Sequence, residues 1–201
     1  KDFVPLEKGD TVIQNAGNSA VGQAVIQLGK LWNINVVSIV RNREQGMTEL
    51  VDYLKSLGAE HVYIEEDLRT EKLRKTLWST IPRPKLGLNC VGGKATTDLL
   101  RVLDKAGTLV TYGGMSKQPV TIPTGEFIFR DLTCRGFWMT RWKAENLNGS
   151  EFAKMLHELI GFIRHDHLKA PQCQVYLLDD YKTAIEQAQQ PFNTKKILLT
   201  V

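Results

Sequence analysis

Residues 11–43 read TVIQNAGNSAVGQAVIQLGKLWNINVVSIVRNR, and the fold turns on this stretch. It opens on β-branched Thr11, Val12 and Ile13, as a short strand over 11–14 requires. Asn15, Ala16, Gly17, Asn18, Ser19, Ala20, Val21 and Gly22 follow, nearly all small, and a helical periodicity begins near Ala20. That period sets Val21, Val25, Leu28 and Trp32 on one face, the face expected to meet the core. A second strand is expected over 35–40. Strand, tight turn, helix and strand make a βαβ unit. Small residues let a backbone come close to a pyrophosphate, and the free N–H groups and positive dipole end of the helix favour an anion there. A dinucleotide site is the leading reading.

Set against G-x-G-x-x-G, the turn is Gly17-x-Ser19-x-x-Gly22, with the middle glycine replaced. The motif carries weight only between a strand and a helix, which is its setting here. A plain tight turn is the alternative. The end of the second strand discriminates further. An acid that grips ribose hydroxyls is usual in NAD enzymes about 20 residues past the glycine turn. This chain has Arg41, Asn42 and Arg43 there, with Glu44 the nearest acid. A guanidinium offers a planar fork of donors to phosphate oxygens, whereas a carboxylate repels them. The stretch favours NADPH, against the alternative of an ordinary basic loop.

Outward from this unit the chain keeps alternating. Met47, Leu50, Leu54 and Leu57 mark a helix, and 61–64 a third strand. A basic helix carries Leu68, Leu73 and Leu77, a fourth strand covers 85–91, and Ala95, Leu99, Val102 and Leu103 lie on the next helix. A fifth strand at 108–112 runs into Gly113-Gly114-Met115. Alternation of this kind implies an α/β fold, a Rossmann doubly wound parallel six-stranded sheet with helices on both faces. Ligands bind such sheets at the carboxyl ends of the strands, and three of those ends are rich in small residues here: 17–22, 92–93 and 113–114. Residues 120–123 are read as a short edge segment and 132–139 (LTCRGFWM) as a sixth strand. Phe152, Leu156, Leu159 and Ile163 stripe a further helix, followed by a strand over 174–178, a short helix near 181–188 and a last strand over 197–201.

The 201 residues are 42% hydrophobic and 24% charged, ordinary values for a globular protein, with a mild net charge of +4. No apolar run approaches a membrane span, and no basic patch with interleaved aromatics suggests nucleic acid. Cys90, Cys134 and Cys173 are scattered and odd in number, which points to a reducing compartment. Of the histidines, His61, His157, His165 and His167, none pairs at the spacing of zinc ligands, so the domain is expected to be metal-free. The sequence opens on Lys1 and enters a strand within about a dozen residues, as a piece of a longer protein would.

The stretches VIQNAGNSAVGQAVIQLGK, SIVRNR, LKSLGAEHV, LNCVGG, GTLVTYGGMSKQPV and RGFWMTRWK resemble the zinc-free branch of the medium-chain dehydrogenase/reductase superfamily. Within it they are most similar to the cofactor-binding half of the mitochondrial trans-2-enoyl thioester reductases. The closing YKTAIEQAQQPFNTKKILLTV fits the same group. The resemblance implies NADPH-dependent reduction of the double bond of 2-enoyl thioesters on CoA or acyl carrier protein, and a place in mitochondrial fatty acid synthesis; a homodimer is expected from the edge strand over 132–139. The resemblance also implies that Asn18, Ser19, Ala20 and Val21 cradle the pyrophosphate and that Arg41, Asn42 and Arg43 hold the 2′-phosphate. Tyr112, Gly113, Gly114 and Met115, with Phe137, Trp138 and Met139, would flank the nicotinamide and acyl pocket, and Lys195 would approach from the tail. Phe137 and Trp138 read equally well as core aromatics, and Lys195 as plain surface.

The resemblance further implies an NADP-binding domain over 6–142 and a segment over 143–201 that returns to a catalytic domain outside these residues. That domain carries the group's catalytic tyrosine, so no catalytic residue is expected in this chain. A quinone reductase of the same superfamily, or a non-catalytic nucleotide-binding or partner-docking module, would share the cofactor features. Strand 132–139, apolar and at a sheet edge, is the expected dimer contact.

Overall fold

The structure is a computed structural model that describes residues 2–190 and 192–201; Lys1 and Pro191 lie outside the described residues. Six strands, β1 (Thr11–Gln14), β2 (Asn35–Val40), β3 (His61–Ile64), β4 (Leu86–Asn89), β5 (Thr108–Thr111) and β6 (Thr133–Gly136), pair in parallel in the order β3-β2-β1-β4-β5-β6. The register runs Val12 to Val36 on one side of β1 and Ile13 to Gly87 on the other. Chain direction therefore reverses its march beside β1, the switch point at which such sheets take ligands.

Alternation along the strands builds two cores, since successive side chains leave opposite faces. Val36 and Val40 of β2 pack with Ile26 of α1 (Ala20–Trp32) and with Leu50 and Leu54 of α2 (Met47–Ser56). Val37 and Ile39 face the other way, joining Ile13, Leu109 and Leu132, Leu77 of α3 (Glu71–Leu77), Leu99 of α4 (Gly93–Val102) and Leu103 just past it. The sheet is covered on both sides.

Three expectations are corrected. The buried face of α1 is Gly22, Gln23, Ile26, Gln27 and Gly29, whereas Val21 is 51% and Trp32 44% exposed. Close approach to β2 selects that face: a Cβ on Gly29 would lie 2.2 Å from Val36 Cγ2. Residues 120–123 form no strand; they lead into α5 (Thr124–Arg130), a short helix stapled by the Arg130–Glu126 ion pair at 2.7 Å. The sixth strand is half the expected length. Its ladder ends where Phe137 N–H donates to Thr111 O, and Trp138 then caps α6 (Met139–Asn146).

Beyond α6, helix α7 (Ser150–Arg164), strand β7 (Cys173–Leu177), helix α8 (Tyr181–Gln189) and strand β8 (Lys196–Thr200) follow. β7 and β8 pair in parallel as a separate two-stranded sheet. Among the described residues beyond 142, Ala184 is the one buried residue. Gln27 ties this part to the sheet: its Nε2 donates to Lys169 O (3.1 Å), and Lys169 N–H donates to its Oε1 (2.8 Å).

Candidate functional site

The turn after β1 is shaped by what its glycines permit. Gly17 N–H donates to Ile39 O, and a Cβ there would stand 2.7 Å from Ser38 Cβ. At Gly22 a Cβ would meet the carbonyl oxygens of Ala16 and Gly17 at 2.6 Å. The middle position carries no such demand. Ser19 instead caps α1, its hydroxyl accepting from Gly22 N–H at 3.1 Å. Side chains fix the turn from beneath. Gln14 Nε2 donates to Gly22 O (2.9 Å) and Ser38 Oγ (3.0 Å). Gln23 Nε2 donates to Asn18 O (2.8 Å), and Tyr53 OH on α2 donates to Gln23 Oε1 (3.0 Å).

A second polar row crosses three strand ends. Asn15 Nδ2 donates to Asn89 Oδ1 (2.7 Å), and Cys90 N–H donates to Asn15 Oδ1 (2.8 Å). Asn89 Oδ1 also accepts from Gly92 N–H (3.1 Å), and Asn89 Nδ2 donates to Thr111 Oγ1 (3.0 Å). The strand ends that lead into the three stretches of small residues are thus bonded to one another at one edge of the sheet. Buried amides in such a row hold a single arrangement, because every alternative strands a donor.

Apart from Lys195, the candidate residues follow the carboxyl ends of β1, β2, β5 and β6. Asn18, Ser19 and Ala20 are half-buried in the turn, and Val21 projects outward. Arg41, Asn42 and Arg43 follow β2; the first two are exposed. The Arg43 guanidinium is half-buried, lies 5.3 Å from the Phe192 ring centroid, and donates from Nη1 to Phe192 O at 3.4 Å. Its Nε–H is buried, with no acceptor among the described residues. Burial lowers the Arg43 pKa.

Tyr112, Gly113, Gly114 and Met115 follow β5, their backbone fastened by Tyr112 N–H to Asn89 O (2.9 Å) and Met115 N–H to Cys90 O (3.0 Å). Burial, with the Cys90 thiol beside it, pushes the Tyr112 phenol well above its ordinary value. It stays protonated at neutral pH. Phe137 packs edge-on to Phe3 (5.9 Å) and tilted to Trp142 (6.4 Å), so its ring serves an aromatic cluster. Trp138 (62% exposed) and Met139 are open to solvent. Lys195 is exposed, with its N–H bonded to Asn193 Oδ1. Sequence reasoning passed over Gln14, Asn15, Gln23, Tyr53, Asn89, Thr111 and Phe192, whose roles come from tertiary partners.

Residues 20–160 match the family described as zinc-binding dehydrogenase. The chain belongs to that family. Among curated relatives, this dehydrogenase-family chain is 47% identical over 200 residues to the mitochondrial enoyl-[acyl-carrier-protein] reductase of Xenopus tropicalis, covering 98% of the chain and 57% of the relative. Among solved structures it resembles Etr1p in complex with NADP and crotonyl-CoA (TM-score 0.86, 35% identity, 98% of this chain and 56% of that one). The mitochondrial 2-enoyl thioester reductase Etr1p/Etr2p heterodimer from Candida tropicalis is similar too (TM-score 0.84, 35% identity, 94% and 54%). The chain spans about half the length of the curated relatives it matches. The family's description implies zinc. Among the described residues no group of three or more His, Cys, Asp or Glu side chains is placed to hold a metal ion, so no step here runs through one. No described helix is long and apolar enough to cross a membrane.

Proposed function

We propose that this chain is the NADPH-binding part, over 6–142, of a mitochondrial enoyl thioester reductase, with 143–201 completing a catalytic domain elsewhere in a longer protein. The observation that carries the cofactor reading is the run Arg41-Asn42-Arg43 directly after the carboxyl end of β2, with Arg41 and Asn42 exposed. The guanidinium forks fit a 2′-phosphate. The turn at 17–22, brought close by Gly17 and Gly22, and the start of α1 hold the pyrophosphate. Tyr112, Gly113, Gly114 and Met115, with Phe137, Trp138 and Met139, flank the nicotinamide side, and Lys195 approaches from the tail. NADPH, when bound, supplies a hydride for the β-carbon of the enoyl thioester. The residues here bind and orient; no proton transfer is assigned to them. The relative bound to NADP and crotonyl-CoA supports substrate carriage on CoA, and acyl carrier protein is the second carrier proposed. The free edge of β6 is the proposed contact of a homodimer.

Titration with both nucleotides tests the reading. Two charge-assisted hydrogen bonds at about 1.5–3 kcal/mol each exceed about 2.8 kcal/mol together, which is about 100-fold in dissociation constant. Replacing Arg41 and Arg43 by Ala should weaken NADPH on that order and leave NADH nearly unchanged. Equal wild-type affinity for the two nucleotides refutes the assignment. NADPH oxidation on crotonyl-CoA by the full-length protein tests the reaction.

A further inference from the structure

Arg43 is held by a residue far along the chain. Its Nη1 donates to the carbonyl of Phe192, 149 positions away, and its guanidinium lies on the Phe192 ring. Phe192 itself has φ +62, in the left-handed region that a bulky residue enters only when its surroundings force it. Those surroundings are visible. Asn193 N–H donates to Gln190 O, Asn193 Nδ2 donates to Gln187 O (3.0 Å), and Lys195 N–H donates to Asn193 Oδ1 (2.9 Å). The segment leaving α8 is thus wound against the end of that helix and turns Phe192 back toward the loop after β2.

The geometry points to Phe192 as a specificity-determining positioning residue: it orients Arg43 for a 2′-phosphate, so that the choice of NADPH over NADH is set partly from the C-terminal segment. This rests on the reading of Arg41 and Arg43 as the 2′-phosphate clamp. A ring stacked on a guanidinium occupies its face and leaves its in-plane donors free. One of those donors is spent on Phe192 O, which fixes rotation about the stack. The Nε–H is buried with no partner among the described residues, so the remaining donors of the fork are the ones left for an incoming acceptor. Without the ring, Arg43 would sample many rotamers and lose that preorganisation.

The test is nucleotide titration of the full-length protein. Phe192→Ala should weaken NADPH about tenfold and leave NADH within about twofold, since only the phosphate-bearing nucleotide uses Arg43. Phe192→Tyr should keep wild-type selectivity, because the stacking face is retained. In an Arg43→Ala background, Phe192→Ala should have no further effect on selectivity. A merely structural role would weaken both nucleotides alike, and that result overturns the proposal. So does unchanged NADPH affinity in Phe192→Ala while Arg43→Ala still abolishes the preference, an outcome that leaves the cofactor reading standing. Equal wild-type affinity for the two nucleotides removes the clamp and this inference with it.

Discussion

Leu99 and Leu198 are the same side chain in opposite surroundings. Leu99 sits in the core under the six-stranded sheet with no exposure, and Leu198, on the two-stranded sheet, is 47% exposed. The contrast extends to their neighbourhoods. The first part stacks helices on both faces of a parallel sheet and closes two cores. The second pairs β7 with β8, lays α8 against them and leaves Val175, Leu177 and Leu199 open as well. Apolar content is not a core. A parallel sheet needs cover on both faces, and two strands with one helix cannot supply it.

The sharpest test of this contrast is truncation in each region. Leu109→Ala, at a fully buried position, should cost about 2–5 kcal/mol by urea denaturation, through lost transfer energy and a cavity. Next in size comes the polar row. Asn89→Ala leaves the Asn15 amide and the Gly92 N–H without their acceptor and should cost about 1–3 kcal/mol. Leu198→Ala in this chain should stay within about 0.5 kcal/mol. A loss as large as that at Leu109 would show that the second region has a core of its own, and the comparison would break.

The smallest effect concerns charge at the rim of the first region. Burial, then Glu66 nearby, raises the Glu65 pKa above 4.5, with Arg41 and Arg69 pulling the other way. The native state therefore holds this proton more tightly than the unfolded chain, and ionised Glu65 works against folding at neutral pH. Glu65→Gln should be slightly more stable than wild type at pH 7. The gap should close as pH falls below 4.5, where both states are protonated. A gap that grows on acidification would reverse the sign.

Much of the first region was legible. β1, β2 and β3 fall on the expected residues, because β-branched runs bounded by small or polar residues have little other use. The α1 face was misread for a physical reason. Hydrophobic periodicity finds apolar stripes, but the sheet selected glycines for closeness and let Gln23 and Gln27 bury their amides in hydrogen bonds. The edge segment expected over 120–123 instead leads into α5, and the Arg130–Glu126 pair that staples that helix leaves no apolar pattern to read. At the site, the glycine turn and the arginines announced themselves by composition. The row from Asn15 to Asn89 joins residues 74 positions apart, and no local pattern could reveal it.

The strand order also sets a schedule. β1 can zip to β2 as soon as residue 38 has emerged, but its other side stays open until Leu86 arrives. During synthesis at about 5–20 residues per second, that interval of some fifty residues lasts seconds, a long time beside hairpin or helix formation. Throughout it β1, one of the two central strands of the finished sheet, is an edge, offering unpaired backbone groups to any neighbour. The half built first is therefore the half most in need of a chaperone's shelter.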